Sequence, residues 1–239
     1  MKIHGVMETG NYERTIGMIV PHQQEMIRVA LGFLPRNAKN ILELGCGTGI
    51  LTERILIACP GAGITGLDIS EDMLDVAGKK PGLAGVRFIT RDIRKSWPDT
   101  GYDVIITSLC LHHLSGKERI RVAHRAARAL NPGGLFICGD IFRAEHDWEE
   151  DLLMESWKRA MREAGAGDDV IAGMVAQRTR RLSKLSTISW FRERLAEAGF
   201  SSVFVPFVVG FLGLVIGYAP VSRRQDRVER RKGTGARCR

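Results

Sequence analysis

An excess of charge of either sign is nearly absent from the body of this 239-residue chain, although its total is +8. Residues 221–239 hold eight Lys and Arg against Asp226 and Glu229, so the tail carries +6 and the residues before it only +2. A body so close to balance offers no electrostatic footprint for nucleic acid. The tail itself is arginine-rich and poor in apolar side chains, and is expected to be disordered; contact with RNA or an anionic membrane is its functional alternative. Cysteine pairing is missing as well. Cys46, Cys59, Cys110, Cys138 and Cys238 are odd in number and show no Cys-x-x-Cys spacing, which argues for reduced thiols in a cytoplasmic protein and gives no reason to expect a metal. The opening MKIHGVMETG lacks the apolar core of a signal peptide.

Between Ser201 and Ser222 charge is missing altogether. The run ends at Arg223-Arg224 and contains a Gly213/Gly217 pair, which raises a membrane helix. Pro206, Gly210 and a wealth of Val and Phe oppose it. Two buried strands, roughly Ser202–Val208 and Leu214–Tyr218, fit better, and no membrane span is expected. Internal repeats and low-complexity blocks are absent too.

What is present is an alternation of strand and helix. Residues 11–34 read as helical with a break at Pro21. Strands are expected at Asn40–Leu44, Ile64–Leu67, Val86–Thr90, Tyr102–Ser108 and Leu135–Gly139, and helices at Ile50–Ala58, Glu71–Ala77 and Lys117–Leu130. Nearly continuous apolar strands in such an alternation imply a parallel sheet covered on both faces. From about 145 to 181 the pattern is helical throughout, with Trp148, Leu152, Leu153 and Trp157 read as one apolar stripe. A last helix, Trp190–Ala198, leads into the two final strands.

The stretch ILELGCGTGILTER is a strand, a glycine turn and a helix. A dinucleotide turn, G-x-G-x-x-G, would need glycine at position 50, where Ile50 stands. Glu43 beside the turn would repel a phosphate and suits a ligand with positive charge, an ammonium or a sulfonium. With no Lys or Arg in the turn, this points to S-adenosylmethionine. In GLDIS, Asp68 ends the second strand, where a carboxylate accepts ribose hydroxyls. In TRDI, Asp92 ends the third, placed for the adenine amino group with the Ile93 amide nearby; Ile69 and Met73 are positioned to sandwich the base. The plain alternative is a tight turn with helix-capping aspartates.

At these residues the chain resembles the class I S-adenosylmethionine-dependent methyltransferases, over about Ile41 to Pro220, through LELGCGTG, GLDIS, TRDI, YDVIITSLCLHHL and LNPGGLFI. The resemblance implies one α/β domain over 1–220: a Rossmann-like seven-stranded methyltransferase sheet of order 3-2-1-4-5-7-6, last strand antiparallel, with the helical segment 11–34 and a helical lid insert at about 145–181. A looser similarity, through YERTIGMIVPHQQEM and the insert, is to the small-molecule branch that includes carboxy-S-adenosylmethionine synthase. The resemblance further implies that Gly45, Cys46 and Gly47 cradle the methionine part, that Asp68 binds ribose and that Asp92 with Ile93 binds adenine. It places the Ser108 backbone at the cofactor's amino-acid end. The cofactor would leave as S-adenosylhomocysteine.

Displacement at a sulfonium needs positioning and a dry pocket, and a base only if the acceptor must lose a proton. His112 and His113 follow the fourth strand and are candidates for that base, with packed, hydrogen-bonded histidines as the alternative. The Asn/Asp/Ser-Pro-Pro-aromatic motif of amino-directed nucleic-acid methyltransferases is absent from SLCL, so a small-molecule acceptor is expected and nucleic acid is disfavoured. Asp140, Arg143 and His146 could touch the acceptor, with Trp148 and Trp157 of the insert closing over it; the alternative pocket lies under the N-terminal helices near His22 and Gln23. Two other functions stay open: a carboxy-S-adenosylmethionine type of synthase, for which Arg143, Arg178, Arg180 and Arg181 would have to hold carboxylates, and a non-catalytic cofactor-binding module working through partners. The oligomeric state is not legible.

Overall fold

Two apolar sets alternate along each central strand. β3 (Asn40–Leu44) sends Ile41 to one face and Leu42 and Leu44 to the other. β6 (Tyr102–Ser108) divides Val104 and Ile106 from Ile105, and β7 (Leu130–Ile141) divides Leu135 and Ile137 from Phe136 and Cys138. Successive strand side chains point to opposite faces, so strands apolar on both must be covered twice. Helices α1 (Tyr12–Ile19), α2 (Gln23–Gly32) and α3 (Ile50–Ala58), with the later α6 (Asp147–Glu163) and α7 (Asp168–Arg181), cover the first face. The second is covered by α5 (Gly116–Ala129) and α8 (Ile188–Glu197).

The computed structural model describes residues 12–221 and, before them, only the backbone of two paired strands, β1 (Lys2–Ile3) and β2 (Met7–Glu8). The tail expected to be disordered lies outside the described residues beyond Val221. β4 (Gly63–Asp68) and β5 (Arg87–Thr90), joined through α4 (Glu71–Gly78), extend the sheet on one side; β8 (Ser202–Val209) and β9 (Leu212–Tyr218) complete the other. The order is β5-β4-β3-β6-β7-β9-β8, with β9 antiparallel to both neighbours. Counted from β3, this is the expected 3-2-1-4-5-7-6.

The charge-free run is therefore two strands, and among the described residues no helix is long and apolar enough to cross a membrane. Its Gly217 belongs to ring packing, since a Cβ there would press into Phe200. β7 begins five residues earlier than its apolar run, because Asn131-Pro132-Gly133-Gly134 is absorbed as an irregularity opposite Tyr102 and Val104. The proposed apolar stripe of the insert does not hold. Trp148 and Leu152 are each 64% exposed, while Glu150 and Met161 are buried and Trp157 packs on the core. At about 100° per residue, Trp148 lies half a turn away from Trp157.

Candidate functional site

The parallel strands β3, β4, β5 and β6 end at one edge of the sheet, and the connections leaving that edge carry the polar groups. β3 runs into Gly45, Cys46 and Gly47, whose glycines take left-handed backbone, φ +71° and +56°. Glycine is required at 45 twice over: by that φ, and because a Cβ would overlap the Cys110 side chain. The Gly45 and Cys46 amides donate to Leu67 O at 2.7 and 3.0 Å, which ties the turn to the end of β4. A Cβ on Gly47 would meet nothing within 4 Å, so this side of the turn is open.

Asp68 closes the turn from the next strand. Its Oδ2 accepts from the Gly47 amide at 2.8 Å and its Oδ1 from the Ser70 amide at 2.9 Å, leaving lone pairs on both oxygens. Beside it Ile69 is 66% exposed, whereas Met73 is buried in α4. Glu43 shares the face of Ile41 and points into the core, where the Thr52 hydroxyl donates to its Oε2 at 2.6 Å. Burial pushes the Glu43 carboxyl up to about 8, nearby Asp68 adds to the rise, and Thr52 opposes it. Asp92 is clamped by Arg94, whose Nε and Nη2 donate at 2.9 and 2.7 Å and hold the carboxyl below its ordinary range. Ile93 is buried, its carbonyl taken by Trp97 and Arg125. Ser108 ends β6 with its Oγ buried and unpartnered. Burial pushes the Cys46 and Cys110 thiols upward, which keeps them from thiolate chemistry.

Sequence reading missed the roof over this edge. Glu13 of α1 accepts from Thr48 of the glycine turn at 2.8 Å and from Lys80 at 2.7 Å, and Lys80 also reaches Glu53 at 2.9 Å. Tyr12 lies against the same turn; burial, then Asp68 and Cys110, push its phenol up to about 12. An aromatic-acid pair opening an amphipathic helix was the available signal, but nothing in it names Thr48 or Asp68 as partners.

After Ser108 the chain passes Leu109, a non-glycine residue with φ +51°, and turns through Leu111–His113. Buried Arg119 pins that turn by donating to Leu111 O, Leu114 O and Lys184 O. The structure separates the two histidines. His112 Nδ1 lies 2.6 Å from Oδ1 of Asp140, a buried carboxylate that also accepts from the His112 and Ile141 amides. His113 Nδ1 lies 3.1 Å from Arg181 Nη2.

Both histidines line a cavity of about 1100 Å³, open mouth included, between α1, the β9 end of the sheet and helices α6 and α7. Its wall is largely apolar, with Trp157, Met174, Leu109 and Phe211 among the lining side chains, and Tyr12 joins it to the glycine turn. Trp157 is fixed by an Nε1 bond to Ile19 O at 2.9 Å. Its two left-handed non-glycine residues, His22 and Leu109, hold strained backbone at this wall. Arg143, His146 and Trp148 do not line it, and Trp148 stacks outward on the His146 ring. Insert and N-terminal helices thus enclose one pocket together, rather than offering alternative ones.

A seven-stranded sheet in this order, with a glycine turn after its first strand and an acid ending its second, is the fold of the class I S-adenosylmethionine-dependent methyltransferases. Residues 41–134 match the family model described as a methyltransferase domain. Malonyl-[acyl-carrier protein] O-methyltransferase from Paenibacillus sp. (strain JDR-2) is 32% identical over 189 residues, 74% of this chain and 62% of the relative. Trans-aconitate 2-methyltransferase from Paracidovorax citrulli is 32% identical over 150 residues, 61% of this chain and 53% of the relative. The chain therefore spans less than two thirds of either relative's length. An O-methyltransferase family protein from Burkholderia thailandensis superposes with a TM-score of 0.63 at 18% identity, over 89% of this chain and 60% of that one.

Proposed function

We propose that this protein transfers the methyl group of S-adenosylmethionine to a small molecule bound in the cavity beneath α6 and α7, as a cytoplasmic enzyme. The observation that carries this is the junction at Tyr12, a side chain that feels Asp68 on the cofactor edge and also lines the apolar cavity. Such an enclosed, largely apolar wall suits a small acceptor rather than a nucleic acid.

The residues at the sheet edge fit the cofactor. The open side of Gly47, with Gly45 and Cys46, takes the methionine part; Asp68 accepts from the ribose hydroxyls; exposed Ile69 covers one face of the adenine, with Asp92 and Ile93 at its edge. Ser108, whose buried Oγ has no partner, stands at the amino-acid end. Glu43, buried behind the turn and holding its proton to about 8, supports the turn through Thr52 and offers a cation no full negative charge. Met73 is buried and supports the adenine site from within α4.

When bound, S-adenosylmethionine would supply a methyl group activated by its sulfonium, with S-adenosylhomocysteine as the product left behind. Trp157, Met174 and Phe211 exclude water from the acceptor. Where the acceptor has a proton to lose, His112 takes it at Nε2, because Asp140 holds Nδ1 in the donor form. Calorimetric titration with S-adenosylhomocysteine and with NAD tests the cofactor, and methyl-labelled S-adenosylmethionine with a metabolite extract tests the transfer. Tight NAD binding with no response to S-adenosylhomocysteine would overturn the reading.

A further inference from the structure

The cavity wall has one sign of charge. Among the described residues none of its lining side chains is Asp or Glu, yet two arginines belong to it, Arg178 and Arg181. Arg178 is committed elsewhere: it is buried, donates to Glu150 at 2.6 Å and to Phe142 O at 3.0 Å, and lies over the Phe211 ring. Arg181 is three residues further along α7 and so on the same side of the helix. Among the described residues it forms no ion pair, and its Nη2 contact is to His113 Nδ1 at 3.1 Å. A guanidinium only donates, so Nδ1 accepts in this contact, and an imidazole brings no negative charge to it. Arg181 is half-buried at the rim of this apolar wall, so its guanidinium keeps N–H donors that an anion entering the cavity can use. The neighbouring Gln177 adds a second incomplete group, as its Oε1 is buried with no hydrogen-bond partner.

We propose that the acceptor is an organic acid: an apolar body against Trp157, Met174 and Phe211, a carboxylate on Arg181, and a hydrogen-bond donor to Gln177 Oε1. The proposal rests on the methyl-transfer reading for its role and on the cavity alone for its chemistry. A planar guanidinium recognises a carboxylate through paired N–H donors, which an alcohol of the same shape cannot use equally.

The test is a matched pair of probes, trans-cinnamate and cinnamyl alcohol, titrated by calorimetry into the full-length protein with and without saturating S-adenosylhomocysteine. Cinnamate should bind at least about ten-fold more tightly than the alcohol. Arg181→Gln should remove that preference while S-adenosylhomocysteine affinity and melting temperature stay at wild-type values, and Arg181→Lys should restore part of it. Equal binding of the two probes, binding of neither, or a preference that survives Arg181→Gln overturns the proposal. Failure to bind S-adenosylhomocysteine would instead sink the methyl-transfer reading, with the acid preference still measurable in the unloaded protein.

Discussion

The edge of the sheet and the cavity beside it carry different polar groups. At the edge, Glu43, Asp68 and Asp92 sit at or just beyond three strand ends, and Glu13 reaches down from α1. In the cavity, the charged lining side chains are Arg178 and Arg181, joined by His22, His112 and His113. Tyr12 stands between them. The contrast is what the proposed function uses: carboxyl groups, Asp68 foremost, on the side proposed for the cofactor, and a largely apolar wall with arginines on the side proposed for the acceptor. Substitutions can break this contrast from either side.

The largest effect is expected from the cavity side. Asp140→Asn leaves the shape of the His112 pocket but removes the charge that holds Nδ1–H, and should slow transfer to a protonated acceptor by about 10²- to 10⁴-fold. S-adenosylhomocysteine affinity should stay within about 0.5 kcal/mol of wild type. An unaltered single-turnover rate would remove His112 from proton transfer.

Next comes Glu43. In the unfolded chain it ionises in the ordinary glutamate range, but in the folded protein it keeps its proton to about 8. Folding therefore takes up a proton between those values, and stability falls as pH rises through the window and levels off above it. Glu43→Gln keeps an acceptor for Thr52 and removes the buried charge. It should match wild type at pH 4 and exceed it by up to a few kcal/mol at pH 9, read as melting temperature against pH without ligand. A constant difference across that range would show that Glu43 does not titrate there.

Asp68→Ala follows, with S-adenosylhomocysteine affinity falling by about 1–3 kcal/mol and cinnamate binding unchanged. Equal losses at both ligands would mean that the edge and the cavity are not separable. The smallest effect is expected at the exposed latch. Glu13→Gln loses one ion pair with Lys80 and should cost less than about 1 kcal/mol of cofactor affinity, seen chiefly as faster release of S-adenosylhomocysteine in stopped flow. A loss as large as that of Asp68→Ala would make α1 part of the binding site itself.

Order and placement along the chain were legible because they follow from local chemistry. Apolar runs bounded by turns mark the strands, and acids at strand ends must lie at one edge of a parallel sheet. Pairings between distant residues were not legible. His112 and Asp140 are 28 positions apart, as are Glu150 and Arg178, and no periodicity links them. The stripe drawn through Trp148 and Trp157 failed because apolar identity was read without helical phase.

The sequence by itself thus determined the strands, the glycine turn and the acids at the strand ends, through periodicity and local chemistry, while the order of the sheet was what the family resemblance implied. Which histidine is held by a carboxylate, which arginine is consumed by Glu150 and which meets His113 at the cavity wall were decided only by the tertiary structure. Those outcomes depend on how α6 and α7 pack over β7 and β9, where burial forces Arg178 onto an acid and leaves Arg181 three residues beyond it.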